Sequence, residues 1–117
     1  GNMVRDFTYI DDAVRAVTGI LDACLGQTLF SETSTTPWRL YNIGNHKKVP
    51  LMDYVRVLEQ CLGRKAAVDL LPMQDGDVPE TDADVSKLVR DFGAPMSIDV
   101  EEGIARFVSW YREYYKV

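Results

Sequence analysis

Residues 5–12, Arg-Asp-Phe-Thr-Tyr-Ile-Asp-Asp, decide how the rest of the chain is organised. The β-branched and aromatic residues 7–10 predict a short extended segment. Asp11 or Asp12 is a good N-cap, because its carboxylate can accept a free backbone N–H at a helix start. Arg5, at the mouth of this strand-to-helix turn, can hold a phosphate, since its planar guanidinium matches two phosphate oxygens at once. From the spacing alone, pairing of Arg5 with the adjacent Asp or a surface carboxylate is the commoner outcome.

Composition indicates an ordinary globular protein. The 117 residues are 46% hydrophobic and 26% charged, which fits a single domain over residues 1–117 with a modest core. The net charge of −5 provides no basic footprint, so no nucleic-acid partner is expected. No apolar run reaches the roughly 20 residues that span a bilayer, so no membrane partner is expected either. Cys24 and Cys61 lie in apolar helical patterns and predict buried free thiols in a reducing, cytoplasmic compartment.

Apolar residues recur at intervals of three and four in four segments, which predicts four amphipathic helices. Glycines at positions 26, 63 and 93 are placed to end three of them. Pro50 suits the first turn of the second helix, and Asp99 is expected to cap the last one. The aromatic stripe of the last helix is expected to lie in the core. The predicted helices span residues 11–25, 51–62, 85–92 and 100–115.

Two segments, residues 38–43 and 66–71, have strand character, so the prediction is an α/β fold with helices laid on short strands. Gly44 and Asn45 are expected to turn the chain after the first strand with positive φ. The Ser- and Thr-rich residues 27–37 read as an exposed loop. The single histidine, beside two lysines, is expected to be solvated and has no second histidine with which to bind a metal.

Residues 70–81 form the loop with the most polar chemistry. A proline and Gly76 shape a turn that carries an amide, Gln74, and two carboxylates, one of them Asp77. A carboxylate beside a turn can accept both hydroxyl hydrogens of a ribose, and Gln74 can donate to a phosphate or a uracil oxygen. From this segment alone, an Asx-turn that only stabilises its own loop is the commoner structure.

Four stretches, residues 5–12, 41–45, 70–84 and 107–115, together resemble the C-terminal substrate-binding half of extended short-chain dehydrogenase/reductases acting on nucleotide sugars, and most of all UDP-glucuronate 4-epimerases. The resemblance covers essentially the whole chain, in order. It implies an α/β part completed by a doubly wound Rossmann-type sheet. It also implies oxidation at sugar C4 by NAD with hydride return on the other face, converting UDP-glucuronate to UDP-galacturonate.

The same resemblance implies the site residues. Arg5 would grip the diphosphate of the UDP-sugar, and Asp77 would contact the ribose. Gln74 stands where several relatives carry a phosphate-clamping Arg. Because Gln74 has no charge, its contact with phosphate is left open.

The family's catalytic residues are not found in this sequence. No two of the eight glycines are three apart, so a glycine-rich turn for the NAD pyrophosphate is missing. No tyrosine has a lysine four residues later, so the Tyr-Lys pair that moves the proton is missing too. We therefore expect a fragment without its NAD-binding half, which alone holds no NAD, has no catalytic or metal-binding residues, is inactive, and self-associates through bare apolar surface. A fragment of a nucleotide-sugar 4,6-dehydratase or decarboxylase, and a non-enzymatic binding module, remain alternatives.

Overall fold

The computed structural model describes residues 1–25, 38–93 and 98–117. The predictions for Gly26 and for the loop 27–37 lie outside the described residues. The chain combines helices with two short strands, which confirms the predicted fold class. The elements are β1 (Val4–Asp6), α1 (Ile10–Leu25), β2 (Lys48–Pro50), α2 (Leu51–Leu62), α3 (Ser86–Phe92) and α4 (Val100–Tyr115).

Strand β1 is the centre of the described sheet. On one side it pairs antiparallel with β2, with Arg5 opposite Val49. On the other side Val4 forms a parallel bridge with Glu80. The backbone N–H of Val4 donates to the Pro79 carbonyl at 3.0 Å, and the backbone N–H of Thr81 donates to the Val4 carbonyl at 3.1 Å. Both edges of β1 are therefore occupied.

The extended segment predicted at residues 7–10 is displaced, because the strand β1 is Val4–Asp6 and Ile10 already begins α1. The two other predicted strands are wrong. Residues 38–43 run along α3 without strand pairing, with the Tyr41 hydroxyl donating to Asp91 at 2.7 Å. The Tyr41 ring meets Phe92 edge to face, with 5.2 Å between ring centroids. Residues 66–71 are exposed and irregular. Strand propensity shows only that a segment suits a half-buried pleated surface, and the edges of β1 are taken by β2 and residues 79–81.

Two predicted N-caps also differ from the structure. Helix α1 begins at Ile10, so Asp11 and Asp12 lie in its first turn. The Asp12 carboxylate is buried and accepts the backbone N–H of Ile98 at 2.8 Å instead of capping α1. Asp99 does occupy the N-cap of α4, but its side chain makes no cap hydrogen bond. Gly63 ends α2 with φ of 67°, which confirms its predicted role.

The core lies between α2 and α4. Val100, Ile104 and Val108 are its buried centre, and Phe7 packs against them. The Phe7 ring stacks on Tyr54 with 4.3 Å between centroids, so the opening segment is anchored in this core. The predicted aromatic core of α4 is wrong, because five aromatic side chains of this helix are 41–66% exposed: Phe107, Trp110, Tyr111, Tyr114 and Tyr115.

The apolar stripe of α1 is bare. Val14, Val17, Leu21 and Leu25 are 52–74% exposed, although their spacing predicts a face turned toward a core. The accessible surface of the chain is 8830 Å², against about 6,400 Å² for a compact monomer of this mass. Within the described ranges, no helix is long and apolar enough to cross a membrane.

Both cysteines are free thiols, as predicted, but they are only partly buried. Cys61 lies on α2 against the core cluster, whereas Cys24 lies near the end of α1, whose apolar stripe is bare. The burial of Cys24 was predicted from its place in the α1 stripe, so it is incomplete for the same reason that the stripe is exposed.

Candidate functional site

The candidate site is built on β1, because each of its three residues holds the segment 77–83. Val4 binds this segment through its backbone, as described above. The backbone N–H of Asp6 donates to the Thr81 hydroxyl at 3.1 Å. Arg5 reaches the segment with its side chain. The site is therefore assembled from residues more than 70 positions apart in the sequence.

Arg5 and Asp77, both predicted as site residues, are in direct contact. The Arg5 Nη2 donates to Asp77 Oδ1 at 3.0 Å, and the two side chains are 20% and 40% exposed. The Arg5 Nη1 donates to the Val4 carbonyl at 3.1 Å, which orients the guanidinium. Ion pairs this exposed contribute only about 0.2–1 kcal/mol, so a doubly charged phosphate group can compete with Asp77 for Arg5.

The third predicted residue, Gln74, is brought to the same place by a tight turn. The backbone N–H of Asp77 donates to the Gln74 carbonyl at 3.2 Å. Gly76 has φ of 86°, a conformation that favours glycine at the third position of such a turn. Asp77 Oδ1 also accepts the backbone N–H of the next residue, Val78, at 2.9 Å. An Asx-turn binds the backbone two residues on, so this local contact is not the Asx-turn that the sequence predicts. The Gln74 side chain is exposed beside it.

Sequence reasoning missed Asp6, whose carboxylate accepts three backbone N–H groups. Asp6 Oδ1 accepts from Asn45 at 3.1 Å. Asp6 Oδ2 accepts from His46 and from Ala83, each at 3.2 Å. The partners lie 39–77 residues away, and no local spacing signals such a contact. Only the position of Asp6 next to Arg5, in the octet that opens the chain, could have drawn attention to it.

The side chain of Lys48 lies beside this network and has a raised pKa. The Lys48 Nζ donates to Glu80 at 2.7 Å and lies 3.3 Å from Asp82. The hydrogen bond to Glu80, followed by that to Asp82, raises the pKa of Lys48. His46 is 63% exposed, in keeping with the predicted solvation, although its Nδ1 lies 3.4 Å from Asp82. The predicted positive φ falls on His46, at 54°, and not on Gly44 or Asn45.

Two buried polar side chains connect this region to the start of α4. The Asn45 amide donates to the Ile98 carbonyl at 3.2 Å, and Asp12 accepts the Ile98 N–H. Asn45 and Asp12 are each 6% exposed. Their remaining side-chain oxygens have no hydrogen-bond partner within the described part of the chain. The guanidinium nearest to the free Asp12 oxygen belongs to Arg15, at 4.0 Å.

No cluster of His, Cys, Asp or Glu in residues 1–25, 38–93 and 98–117 could hold a metal ion. The arrangement offers one guanidinium that can bind phosphate, one carboxylate that can bind hydroxyl groups, and an amide, all at the same end of β1. Groups of these types can bind a nucleotide.

Comparison with known sequences identifies relatives across the whole chain. An uncharacterised 37.6 kDa protein of Escherichia coli O111:H- is 43% identical over 124 residues, covering 100% of this chain and 37% of that protein. UDP-glucuronate 4-epimerase 2 of Arabidopsis thaliana is 40% identical over 119 residues, covering 99% and 27%. The chain spans about a third of the length of the curated relatives it matches. No protein-family model matches the chain.

Solved structures agree with the sequence relatives. The crystal structure of UDP-glucuronic acid 4-epimerase from Bacillus cereus in complex with NAD matches with a TM-score of 0.72 and 25% identity, over 99% of this chain and 32% of that one. MoeE5 in complex with UDP-glucuronic acid and NAD matches with a TM-score of 0.76 and 26% identity, over 97% and 35%. In sequence and in fold, the chain therefore belongs with the C-terminal part of the UDP-glucuronate 4-epimerases.

Proposed function

We propose that this chain is the UDP-sugar-binding part of an NAD-dependent nucleotide-sugar 4-epimerase that interconverts UDP-glucuronate and UDP-galacturonate. The observation that carries the proposal is the contact between Arg5 and Asp77, which joins β1 to the polar loop at one exposed place. The names of the relatives support the choice of substrate, since the Arabidopsis relative is a UDP-glucuronate 4-epimerase and MoeE5 was solved with UDP-glucuronic acid.

In this proposal Arg5 binds the diphosphate. Its backbone lies in β1 between two hydrogen-bonded neighbours, and its guanidinium is oriented by the Val4 carbonyl. A rigid guanidinium loses little conformational freedom when it binds phosphate oxygens. The diphosphate would take the place of, or share Arg5 with, the Asp77 carboxylate.

Asp77 and Gln74 would bind the nucleoside end of the substrate. The Asp77 oxygen that is not bound to Arg5 remains available for ribose hydroxyl groups. The exposed Gln74 amide can donate to a phosphate or to a uracil oxygen. Both side chains stand on the turn that Gly76 permits, so ligand binding is expected to depend on the conformation of this one turn.

The residues of this chain do not fit NAD. Its sequence contains neither a glycine-rich turn for the pyrophosphate nor a Tyr-Lys pair, so we assign it no catalytic residue and no step of the reaction. The proposal instead requires an N-terminal half of the kind that the longer relatives carry, which would bind NAD and supply the proton-transferring groups. Residues 1–117 would then be one substrate-binding domain, with the bare α1 stripe packed on that half or, in the isolated chain, on another copy.

The encoding gene provides the first test. Upstream of Gly1, in the same reading frame, we expect a glycine-rich strand–turn–helix and a Tyr-x-x-x-Lys pair. The full-length product should convert UDP-glucuronate to UDP-galacturonate, and the 117-residue chain should not. Absence of both motifs upstream would refute the proposal and favour a binding module without an enzyme. A full-length product that instead releases water or CO₂ from the sugar would identify a dehydratase or a decarboxylase.

A further inference from the structure

We propose that Asp6 is a positioning residue, whose carboxylate holds residues 44–46 and 81–83 against β1 and thereby keeps Asp77 opposite Arg5. The UDP-binding part of this inference rests on the function proposed above. The structural part, that Asp6 maintains the contact between Arg5 and Asp77, does not depend on it.

The geometry of the Asp6 carboxylate is the first argument. Its two oxygens accept N–H groups from two segments that approach from different directions, Asn45 and His46 from one and Ala83 from the other. The Asp6 backbone N–H binds Thr81 as well. One residue thus joins three segments of the chain, and no other side chain in the described ranges accepts backbone N–H groups from two separate segments.

The charge of Asp6 is the second argument. No lysine, arginine or histidine side chain within residues 1–25, 38–93 and 98–117 lies within 4.0 Å of this carboxylate. Its negative charge is therefore balanced by backbone N–H dipoles. Hydrogen bonds to an ionised acceptor are about twice as strong as neutral ones, so these contacts depend on the carboxylate being charged.

Gly44 shows how closely the segments are drawn together. A Cβ on Gly44 would lie 2.5 Å from the Ala83 Cβ and 2.7 Å from Asp6 Oδ2. Both distances are shorter than real Cβ contacts. The residue is buried and its φ is not positive, so glycine is needed here for space and not for backbone conformation. Any side chain would push residue 83 away from Asp6.

The backbone conformation of His46 also indicates that surrounding contacts hold this segment in place. His46 has φ of 54°, which is uncommon for a residue other than glycine. Its N–H is one of the three that Asp6 accepts. A strained residue persists only where surrounding contacts hold it, and the Asp6 carboxylate provides such a contact.

Asp6 is linked through the backbone to Arg5 on one side and to Asp77 on the other. It follows Arg5 directly in β1, and the segment it holds at Ala83 and Thr81 leads back to Asp77. If residue 83 moves away from β1, the segment 77–83 loses its bond from Ala83 to the Asp6 carboxylate and the bond between Thr81 and the Asp6 backbone weakens. The turn that bears Asp77 and Gln74 is then held beside Arg5 mainly by the two backbone hydrogen bonds to Val4, and so less firmly. Asp6 itself need not touch the substrate.

The test compares Asp6→Asn and Gly44→Ala with the parent 117-residue chain by NMR. The Asn amide keeps the size of the Asp side chain but presents an NH₂ group to at least one backbone N–H. Gly44→Ala separates the same segments and leaves the carboxylate in place. In both variants we expect the amide of Ala83 to exchange with solvent about tenfold faster, as for the loss of one charge-assisted hydrogen bond. We also expect contacts between Arg5 and Asp77 to weaken and UDP affinity to fall about tenfold.

Two control variants separate positioning from general effects. Asp82→Asn removes one negative charge next to Ala83 and should leave the exchange rate and UDP affinity near those of the parent. Val108→Ala lowers stability from within the core, 5% exposed, and should leave UDP affinity unchanged once the folded fraction is taken into account. Equal losses of UDP affinity in Val108→Ala and Asp6→Asn, at equal stability, would overturn the inference.

The two proposals fail in different ways. If the parent chain and the full-length product do not bind UDP, the proposed function is wrong, while the exchange rates and the Arg5–Asp77 contact still test Asp6. If the parent binds UDP and both variants retain parental exchange at Ala83 and parental affinity, Asp6 is not a positioning residue.

Discussion

The surroundings of β1 and the apolar face of α1 differ in how many of their groups have partners within the chain. Around β1, backbone and side-chain groups find partners within the chain, including three N–H groups on Asp6 and the ion pair of Arg5 with Asp77. Along α1, apolar side chains with core-like spacing stand 52–74% exposed.

This difference shows which part of the fold the chain completes by itself. The hydrogen bonds around β1 form between segments that the structure describes, so contacts within the chain hold Arg5, Asp6 and Asp77 in place. The α1 stripe has the pattern of a buried face but is largely exposed in the part of the chain that the structure describes, and an exposed apolar patch of this kind is typical of an interaction surface. The contrast supports the proposal that the chain provides the substrate site of a larger enzyme.

The largest expected effect is a loss of stability that occurs for a substitution in the buried core and not for one on the exposed face of α1. Ile104→Ala, at a residue only 4% exposed, should lower the free energy of unfolding by about 2–5 kcal/mol, because it leaves a cavity. Leu21→Ala, at a residue 56% exposed, should change it by no more than about 0.5 kcal/mol. Urea unfolding of both variants measures this. A similar loss in both would show that α1 is already covered, in this chain or by a second copy.

Next in size is the loss of the guanidinium at the site. Arg5→Ala should weaken UDP binding by about 1.5–3 kcal/mol, the range for a hydrogen bond to a charged group. Arg56→Ala is the matched control, because Arg56 also forms an ion pair, with Asp53 at 2.5 Å, but lies on the surface of α2. Calorimetric titration with UDP compares the three proteins. Equal affinity of Arg5→Ala and the parent would remove Arg5 from the site.

A smaller effect concerns the competition between Asp77 and phosphate for Arg5. Asp77→Asn should tighten the binding of inorganic pyrophosphate by about 0.2–1 kcal/mol, since it removes an exposed ion-pair partner, and should not tighten UDP equally because a ribose contact is lost. Asp75→Asn, in the same turn, controls for the change in net charge. Pyrophosphate titrations that show no difference between Asp77→Asn and Asp75→Asn would contradict the competition.

The smallest expected effect is a shift in the pKa of Asp91. The hydrogen bond from Tyr41, followed by that from Arg90, lowers the pKa of Asp91, so this carboxylate stabilises the fold above the ordinary Asp pKa of about 4. That contribution is lost as the pH falls through the lowered value. Tyr41→Phe should raise the pKa of Asp91 toward its ordinary value, as measured by NMR titration of the carboxyl group. Tyr114→Phe, far along α4, should leave it unchanged.

Local patterns predicted the helices and failed for the strands. The spacing of apolar residues identified α2, α3 and α4 closely, and Gly63 marked the end of α2, since these features depend on neighbours in sequence. Residues 48–50 form β2 although two of the three, lysine and proline, are depleted in strands. Their pairing is set by β1, more than 40 residues away, and such partners are invisible in a local window.

The site was predicted in part for the same reason. Arg5, Gln74 and Asp77 were singled out because the octet and the turn carry recognisable chemistry. The structure brings Arg5 and Asp77 into contact. The role of Asp6 was missed because the backbone N–H groups that donate to its carboxylate come from other segments. The exposure of the α4 aromatics and the α1 stripe was missed because periodicity identifies an apolar face but not what covers it.

The most direct measurement is an NMR titration of the isotope-labelled chain with UDP. Our account predicts chemical-shift changes at Arg5 and at residues 74–78, at UDP concentrations up to about millimolar, and none along α1. The same titration of Arg5→Ala should show smaller changes at 74–78. Shifts confined to α1 or α4, or none at Arg5 and the 74–78 turn, would contradict the assignment of the nucleotide site to β1.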